Sequence, residues 1–292
     1  MLYERLRGLG VALITPFKEN KSIDYDKFDE LVERLIDNDV DYIVALGTTS
    51  EAPTLNSKER DKILTKVIKI VNGRLPIVAG LGGNNTSKIA KAFRNFNHIG
   101  VDAILSVTPF YNKPSQEGLF QHYRVLNESS PLPIILYNVP SRTGINLQPE
   151  TTLRIAQECK NVIGIKEAGT LEQAKYLIEN RKENFLVISG DDGNALPIIN
   201  AGGDGVISVL GNAFPKLFAD MVHQAMKHEG NPLDMEKFEQ SVNLMFMDGN
   251  PAGVKCYMHL MGLIENELRL PLVPVCDNTK NNILNDLNKL MK

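Results

Sequence analysis

Eight short apolar runs, recurring along the whole first three-quarters of the chain, constrain its fold more than any other feature. They are Val11–Thr15, Tyr42–Leu46, Pro76–Ala79, Ala103–Val107, Ile134–Tyr137, Val162–Lys166, Leu186–Ser189 and Gly205–Val209. They are rich in β-branched residues and continuously apolar rather than alternating. That is the pattern of parallel strands covered on both faces. Between them lie stretches with helical spacing, such as Phe28, Leu31, Val32, Leu35 and Ile36, and Leu64, Val67, Ile68 and Val71. Asn56 followed three residues later by Glu59 predicts a capping box at the start of the second of these helices.

Strands alternating with helices permit either a (β/α)8 barrel or an open doubly wound sheet. Eight strands at intervals of roughly 20 to 35 residues, with no low-complexity linker, favour the barrel. After Val209 the pattern is helical to Lys292, more than one closing helix requires. The expected α/β organisation is therefore a TIM barrel over residues 1–224 and a C-terminal helical extension over 225–292. No internal sequence repeat is visible.

Composition narrows the class. Of 292 residues, 43% are hydrophobic and 23% charged, which suits one large globular enzyme. A formal net charge of −3 supplies no field for nucleic acid or anionic lipid. No apolar run approaches the ~18 residues needed to span a membrane. Arg5 and Arg7 precede the apolar stretch Leu9–Ile14, but that stretch is short and runs into Pro16, so it reads as a strand rather than a signal peptide. The 3 cysteines, Cys159, Cys256 and Cys276, are far apart and form no metal or redox motif. A reducing cytoplasm is the expected compartment.

In such a barrel the chemistry gathers at the C-terminal ends of the strands. Lys166 ends the sixth run directly after Val162, Ile163, Gly164 and Ile165. Burial disfavours the charged form of an amine, and a neutral amine can attack a ketone to form an imine. The plainer reading is a lysine that reaches solvent from a strand end. Tyr111 and Tyr137 end neighbouring strands. A phenol can shuttle protons, and a Thr48 or Thr49 hydroxyl could bridge the two, although a tyrosine at such a place also serves as ordinary packing. Arg142, in a loop bounded by Pro140 and Gly144, suits a carboxylate through its planar fork; the alternative is a surface ion pair.

Other motifs are weaker. Gly80-Leu81-Gly82-Gly83-Asn84-Asn85 approaches the dinucleotide fingerprint but lacks its third glycine, and Asp102 opens a strand where the ribose-binding acid should close one. It reads as a flexible loop, with an NAD-binding protein as the rival. The 5 histidines have no metal-ligand spacing. Asp191-Asp192 are adjacent acids, expected in a solvated loop.

Four motifs in order carry a resemblance. They are Gly47-Thr48-Thr49, Thr108 to Leu119 (TPFYNKPSQEGL), Tyr137 to Gly144 (YNVPSRTG) and Gly164 to Gly169 (GIKEAG). With Gly10–Phe17, Asn250–Lys255 and Leu268–Pro271 they span nearly the whole chain. The sequence resembles the dihydrodipicolinate synthase family of pyruvate-dependent aldolases, a superfamily that includes N-acetylneuraminate lyase. The resemblance implies that Lys166 forms a Schiff base with pyruvate and that Thr48 and Thr49 hold its carboxylate. It implies that Tyr137 moves protons, linked through Thr48 to a Tyr111 supplied by a neighbouring subunit of a dimer or tetramer. Gly190 and Ile207 would line the pocket through their backbones. Ser141-Arg142-Thr143-Gly144 resembles the synthase branch, in which arginine binds L-aspartate 4-semialdehyde. The alternative within the superfamily is a sialic acid or keto-deoxy sugar acid lyase. No metal or organic cofactor is implied. Ser50 stands where the family often has glycine, a place where a positive φ would suit glycine.

Overall fold

A computed structural model of the chain describes residues 2–229 and 235–290. Residues 230–234 and 291–292, part of the helical stretch expected after Val209, lie outside the described residues. Eight parallel strands form a closed barrel in sequence order. They are β1 (Gly8–Ala12), β2 (Tyr42–Ala45), β3 (Ile77–Gly80), β4 (Ala103–Val107), β5 (Ile134–Asn138), β6 (Val162–Glu167), β7 (Leu186–Ser189) and β8 (Gly205–Ser208). Closure through the β1–β8 ladder, Gly8↔Gly205 to Val11↔Ser208, excludes the open doubly wound alternative.

The helices in chain order are α1 (Leu2–Arg5), α2 (Tyr25–Ile36), α3 (Ser57–Val71), α4 (Thr86–Arg94), α5 (Gln116–Ser129), α6 (Pro140–Thr143), α7 (Pro149–Glu158) and α8 (Leu171–Asn180). Then come α9 (Ala195–Asn200), α10 (Pro215–Met226), α11 (Glu236–Met247), α12 (Ala252–Leu260) and α13 (Asp277–Leu290). The capping box at α3 is present: the Asn56 side chain accepts from the Glu59 N–H at 3.0 Å, and the Glu59 carboxylate accepts from the Asn56 N–H at 3.0 Å. Two donors at the helix start, which have no intrahelical partner, are thus satisfied.

Strand residues alternate between two apolar surroundings, as the period of two requires. Tyr42, Val44, Val78, Ala103, Leu105, Ile135, Tyr137, Leu186, Ile188 and Ile207 fill the barrel interior. Their neighbours face out: Ile43 and Ala45 pack under α2 and α3, and Ile104, Leu136, Ile165 and Val187 pack against helices on the other side. This double burial is why the runs looked continuous rather than alternating.

The first strand begins earlier than the run Val11–Thr15 suggested. Gly8, Leu9 and Gly10 pair with β8, whereas beyond Ala12 the chain leaves the ladder. Leu13 still donates to the Val44 carbonyl at 3.0 Å, but the Ile14 N–H goes to the Asn212 side chain at 3.1 Å and Pro16 has no N–H to give. Ser50 carries no positive φ. It closes a single 3-10 turn, Thr48–Ser50, and its hydroxyl donates to the Gly47 carbonyl at 2.7 Å. The left-handed residue is the next one, Glu51, with φ +54°.

Helix α10 runs through residues 224 and 225 and packs on β1 and β8. Phe238, Leu244 and Met245 of α11, Val254, Tyr257 and Met258 of α12, and Ile283 and Leu287 of α13 join the same core as α2, α3 and the outer faces of β1 and β2. The helices after the barrel are therefore not a loosely tethered tail.

Candidate active site

The sixth strand decides where Lys166 points. Ile165 faces the outer helices, so Lys166 turns into the barrel at its C-terminal rim. Only 5% of it is exposed, and its Nζ lies 4.5 Å from the centroid of the Tyr137 ring. Tyr137 and Lys166 are direct partners across the β5–β6 ladder. The next pair in that ladder, Asn138 and Glu167, faces the opposite way. Glu167 accepts from Asn138 Nδ2 at 2.9 and 3.1 Å, from Gln173 Nε2 at 2.9 Å and from the Gly169 N–H at 2.6 Å. Asn138 Oδ1 in turn accepts from the Leu147 N–H at 2.9 Å. A one-residue slip of either strand would break this buried network and turn the amine away from the phenol.

Over the rim opens a cleft of about 1200 Å³. Thr48, Thr49, Tyr137, Arg142, Lys166 and Gly190 all line it. Arg142 sits on α6, a single turn started by Pro140, and is exposed. Gly190 follows β7 and donates to the Glu167 carbonyl at 2.7 Å. A Cβ there would lie 2.7 Å from the Ala168 methyl, so only glycine allows this approach. The cleft is closed on its far side by α11, through Glu236, Glu239, Asn243 and Met247.

Two of the expected site residues lie elsewhere in this single chain. Tyr111 is outside the cleft lining, 86% exposed and left-handed at φ +73° in the loop after β4. Ile207 is 1% exposed in the barrel interior, and Val209, two residues further along the same face, is the cleft residue at the end of β8. The Gly80–Asn85 loop has no ribose-binding acid from Asp102 beside it. Its first glycine is needed because a Cβ would sit 2.3 Å from the Leu46 carbonyl, and Asp102 caps the opposite end of the barrel by accepting from the Ile77 N–H at 2.8 Å. The adjacent acids differ from the solvated pair expected. Asp191 borders the cleft, but Asp192 is 2% exposed and accepts from the Val209 and Leu210 N–H groups at 3.0 and 2.8 Å. It ties the β7 loop to the β8 loop.

Several residues that shape the site were invisible to sequence reasoning alone. Asn250 lines the cleft and donates to the Thr49 hydroxyl at 3.0 Å. Glu51 and Lys255 form an ion pair with both side chains fully buried. Their only sequence signal was that Lys255 ends the stretch Asn250–Lys255 and Glu51 lies two residues after Gly47-Thr48-Thr49.

A buried amine with no carboxylate partner among the described residues, beside a tyrosine ring and under a cleft that also offers an arginine, is the arrangement a Schiff-base aldolase on a TIM barrel requires. Comparison with known proteins agrees: the chain belongs to the dihydrodipicolinate synthetase family, whose model matches residues 5–290. It is 50% identical over 293 residues to the 4-hydroxy-tetrahydrodipicolinate synthase of Phocaeicola vulgatus, covering 99% of each chain. It is 51% identical over 272 residues to that of Parabacteroides distasonis, covering 92% of each. Among solved structures, dihydrodipicolinate synthase from Thermotoga maritima matches with a TM-score of 0.92 at 40% identity, over 97% of this chain and 98% of that one. The Acinetobacter baumannii enzyme, complexed with pyruvate, matches with a TM-score of 0.92 at 38% identity, over 97% and 98%.

The buried network behind the site has a pH signature. Burial pushes the Glu167 carboxyl up from an ordinary 4.5 to about 7, against the opposing pull of Gln173, Gly169 and Asn138. The native state then binds this proton more tightly than the unfolded chain. Its contribution is fully present below pH 4.5 and is lost as pH rises through about 7. The stability difference between wild type and Glu167→Gln should therefore move in the variant's favour between those values, by on the order of 2–3 kcal/mol. Urea midpoints measured across the window check it; a difference that stays constant would sink the assignment.

Proposed function

We propose that the chain condenses pyruvate with L-aspartate 4-semialdehyde to give 4-hydroxy-tetrahydrodipicolinate, the first committed step of diaminopimelate and lysine biosynthesis. The observation that carries this reading is Lys166, an amine 5% exposed at the cleft floor, in a chain half identical to curated synthases. The Lys166 amine adds to the pyruvate ketone, and loss of water gives the imine. The imine draws electrons from the adjacent methyl group. Loss of one methyl proton leaves an enamine, whose carbon attacks the aldehyde of the second substrate. The amino group of that substrate then attacks the imine carbon, closes the ring and releases Lys166. Each proton transfer needs a group that is both acid and base, the role assigned to Tyr137. Thr48 and Thr49 hold the pyruvate carboxylate, Arg142 the carboxylate of the semialdehyde, and the backbone at Gly190 and next to Ile207 the pocket wall.

A lyase for sialic acid or keto-deoxy sugar acids would use the same amine and phenol. Arg142 on its own short turn, open to the cleft, favours the synthase branch. The working enzyme in this reading is a cytoplasmic homo-oligomer, a dimer or tetramer. An exposed Tyr111 beside a 40% exposed Phe110 suits a surface that meets a second copy, where Tyr111 would join the neighbour's Thr48 and Tyr137.

Borohydride added with pyruvate should inactivate the protein and leave a reduced pyruvate adduct on Lys166, read by peptide mass mapping. An unmodified Lys166, or a Lys166→Arg variant with full activity, would end the reading. Arg142→Ala should retain that trapping yet lose roughly 30- to 1000-fold in kcat/KM for the semialdehyde, the loss of a charge-assisted contact worth about 2–4 kcal/mol. Unchanged kinetics with this aldehyde would move the chain to another branch. Mixing inactive Tyr111→Phe and Lys166→Ala variants under subunit exchange should restore activity, because one site of the mixed pair then has both residues intact. No recovery despite demonstrated exchange would place Tyr111 in its own subunit's chemistry.

A further inference from the structure

The residues assigned to the pyruvate carboxylate stand on weak ground. Thr48 and Thr49 occupy a 3-10 turn of three residues, and so short a turn has little shape of its own. The residue that follows, Glu51, holds φ +54°, a left-handed conformation disfavoured for any residue with a Cβ. What fixes the turn must come from outside it.

The Thr15 hydroxyl after β1 donates to the Ser50 carbonyl at 2.8 Å, and the remaining contacts come from the chain after the barrel. The side chains of Glu51 and Lys255 both have 0% exposure. Lys255, on α12, donates from Nζ to Glu51 Oε1 and to the Glu267 carbonyl, the latter at 2.9 Å. Glu51 Oε2 accepts from the Arg269 N–H at 3.0 Å. The ammonium also lies 4.3 Å from the centroid of the Phe17 ring. One residue before α12's own cap, Asn250 donates to the Thr49 hydroxyl at 3.0 Å while only 6% exposed. Its Oδ1 is buried and has no partner among the described residues, so this amide is held at the cleft wall rather than fully used elsewhere. A buried ion pair is a poor way to gain stability, since apolar residues of the same volume do as well or better. It is a good way to fix direction, because both ions lose heavily if they part.

We infer that Lys255, Glu51 and Asn250 are positioning residues for the pyruvate site: the C-terminal extension clamps the Gly47–Glu51 turn so that Thr48 and Thr49 meet the substrate carboxylate. Lys255 and Glu51 act through the turn and do not reach the reacting atoms. The inference rests on the pyruvate reading given above, and it assigns the extension a part in catalysis rather than in bulk packing.

The test uses Lys255→Met, Glu51→Gln and the double variant Glu51→Gln/Lys255→Met in the full chain. Each single change strands one buried charge and should lower the denaturation midpoint, and the double change should recover most of that loss. The pyruvate KM should nevertheless stay at least tenfold raised in the double variant, with the KM for the aldehyde within about threefold of wild type and the Lys166 adduct still trapped at saturating pyruvate. Asn250→Ala, which leaves no stranded charge, should raise the pyruvate KM by about the same factor. A double variant that recovers both its midpoint and its pyruvate KM would overturn the inference, as would wild-type pyruvate KM values in the double variant and Asn250→Ala together. Wild-type protein that traps no pyruvate would instead overturn the pyruvate reading, and this inference with it.

Discussion

A closed parallel sheet has no free edge, so its last strand must find its first, and in this chain the meeting is made by two glycines. Gly8 and Gly205 are partners across the seam, with φ +95° and +129°. A Cβ on Gly205 would lie 2.0 Å from the Gly8 carbonyl oxygen. No other residue type permits that approach. Closure matters because β8 is held to β7 through a single register pair, Ser189↔Val206, so the seam with β1 sets its position. Asp204 reinforces the seam from below, where its carbonyl accepts from the Gly8 N–H at 2.8 Å and its carboxylate from the Val187 N–H at 2.8 Å. Once the ring is closed, all eight C-terminal strand ends share one rim, and side chains from β2, β5, β6 and β7 can converge there.

The buried ionisable side chains Glu167, Lys255 and Lys166 have different surroundings. Glu167 is surrounded by donors and faces the outer helices, where it fixes register. Lys255 is paired with Glu51, and although burial pulls its ammonium down to about 8, the carboxylate keeps it charged at neutrality. Lys166 has an aromatic face beside it in place of an anion. A lysine held by a carboxylate is not available to a ketone, whereas Lys166 borders the cleft without a carboxylate partner among the described residues. The two buried lysines therefore differ in that Lys255 has a carboxylate counter-ion and Lys166 borders the cleft.

The same rim explains why the chain continues past the barrel. Strand ends and βα loops can supply a floor and one wall, but the barrel mouth is open. Helix α11 closes the far side of the cleft, and the segment from Asn250 to Lys255 braces the strand-two turn. These helices share the core of α2, α3 and β1, so they are packed into the barrel that carries the site.

Much of this was legible in the residues. Double-faced burial leaves a continuous apolar run, so eight parallel strands could be read, and the capping box at Asn56 and Glu59 was as expected. The GIKEAG and YNVPSRTG stretches pointed to Lys166, Tyr137 and Arg142, which the fold brings to one cleft. What could not be read depends on distant partners. The first strand starts at Gly8 because β8 lies beside it, a fact no local pattern carries. Glu51 and Lys255 are charged, 204 positions apart, and in sequence look like any solvated pair until tertiary structure buries them together. Asp192 and Ile207 likewise took their places from neighbours supplied by closure. Local periodicity and side-chain chemistry are properties of the chain itself, so the sequence determined the class of fold and which side chains stand at the strand ends. Direction, burial and pairing are properties of the packed molecule, so only the tertiary structure decided which buried lysine borders the cleft, which one is paired with a carboxylate, and what holds the turn beside them.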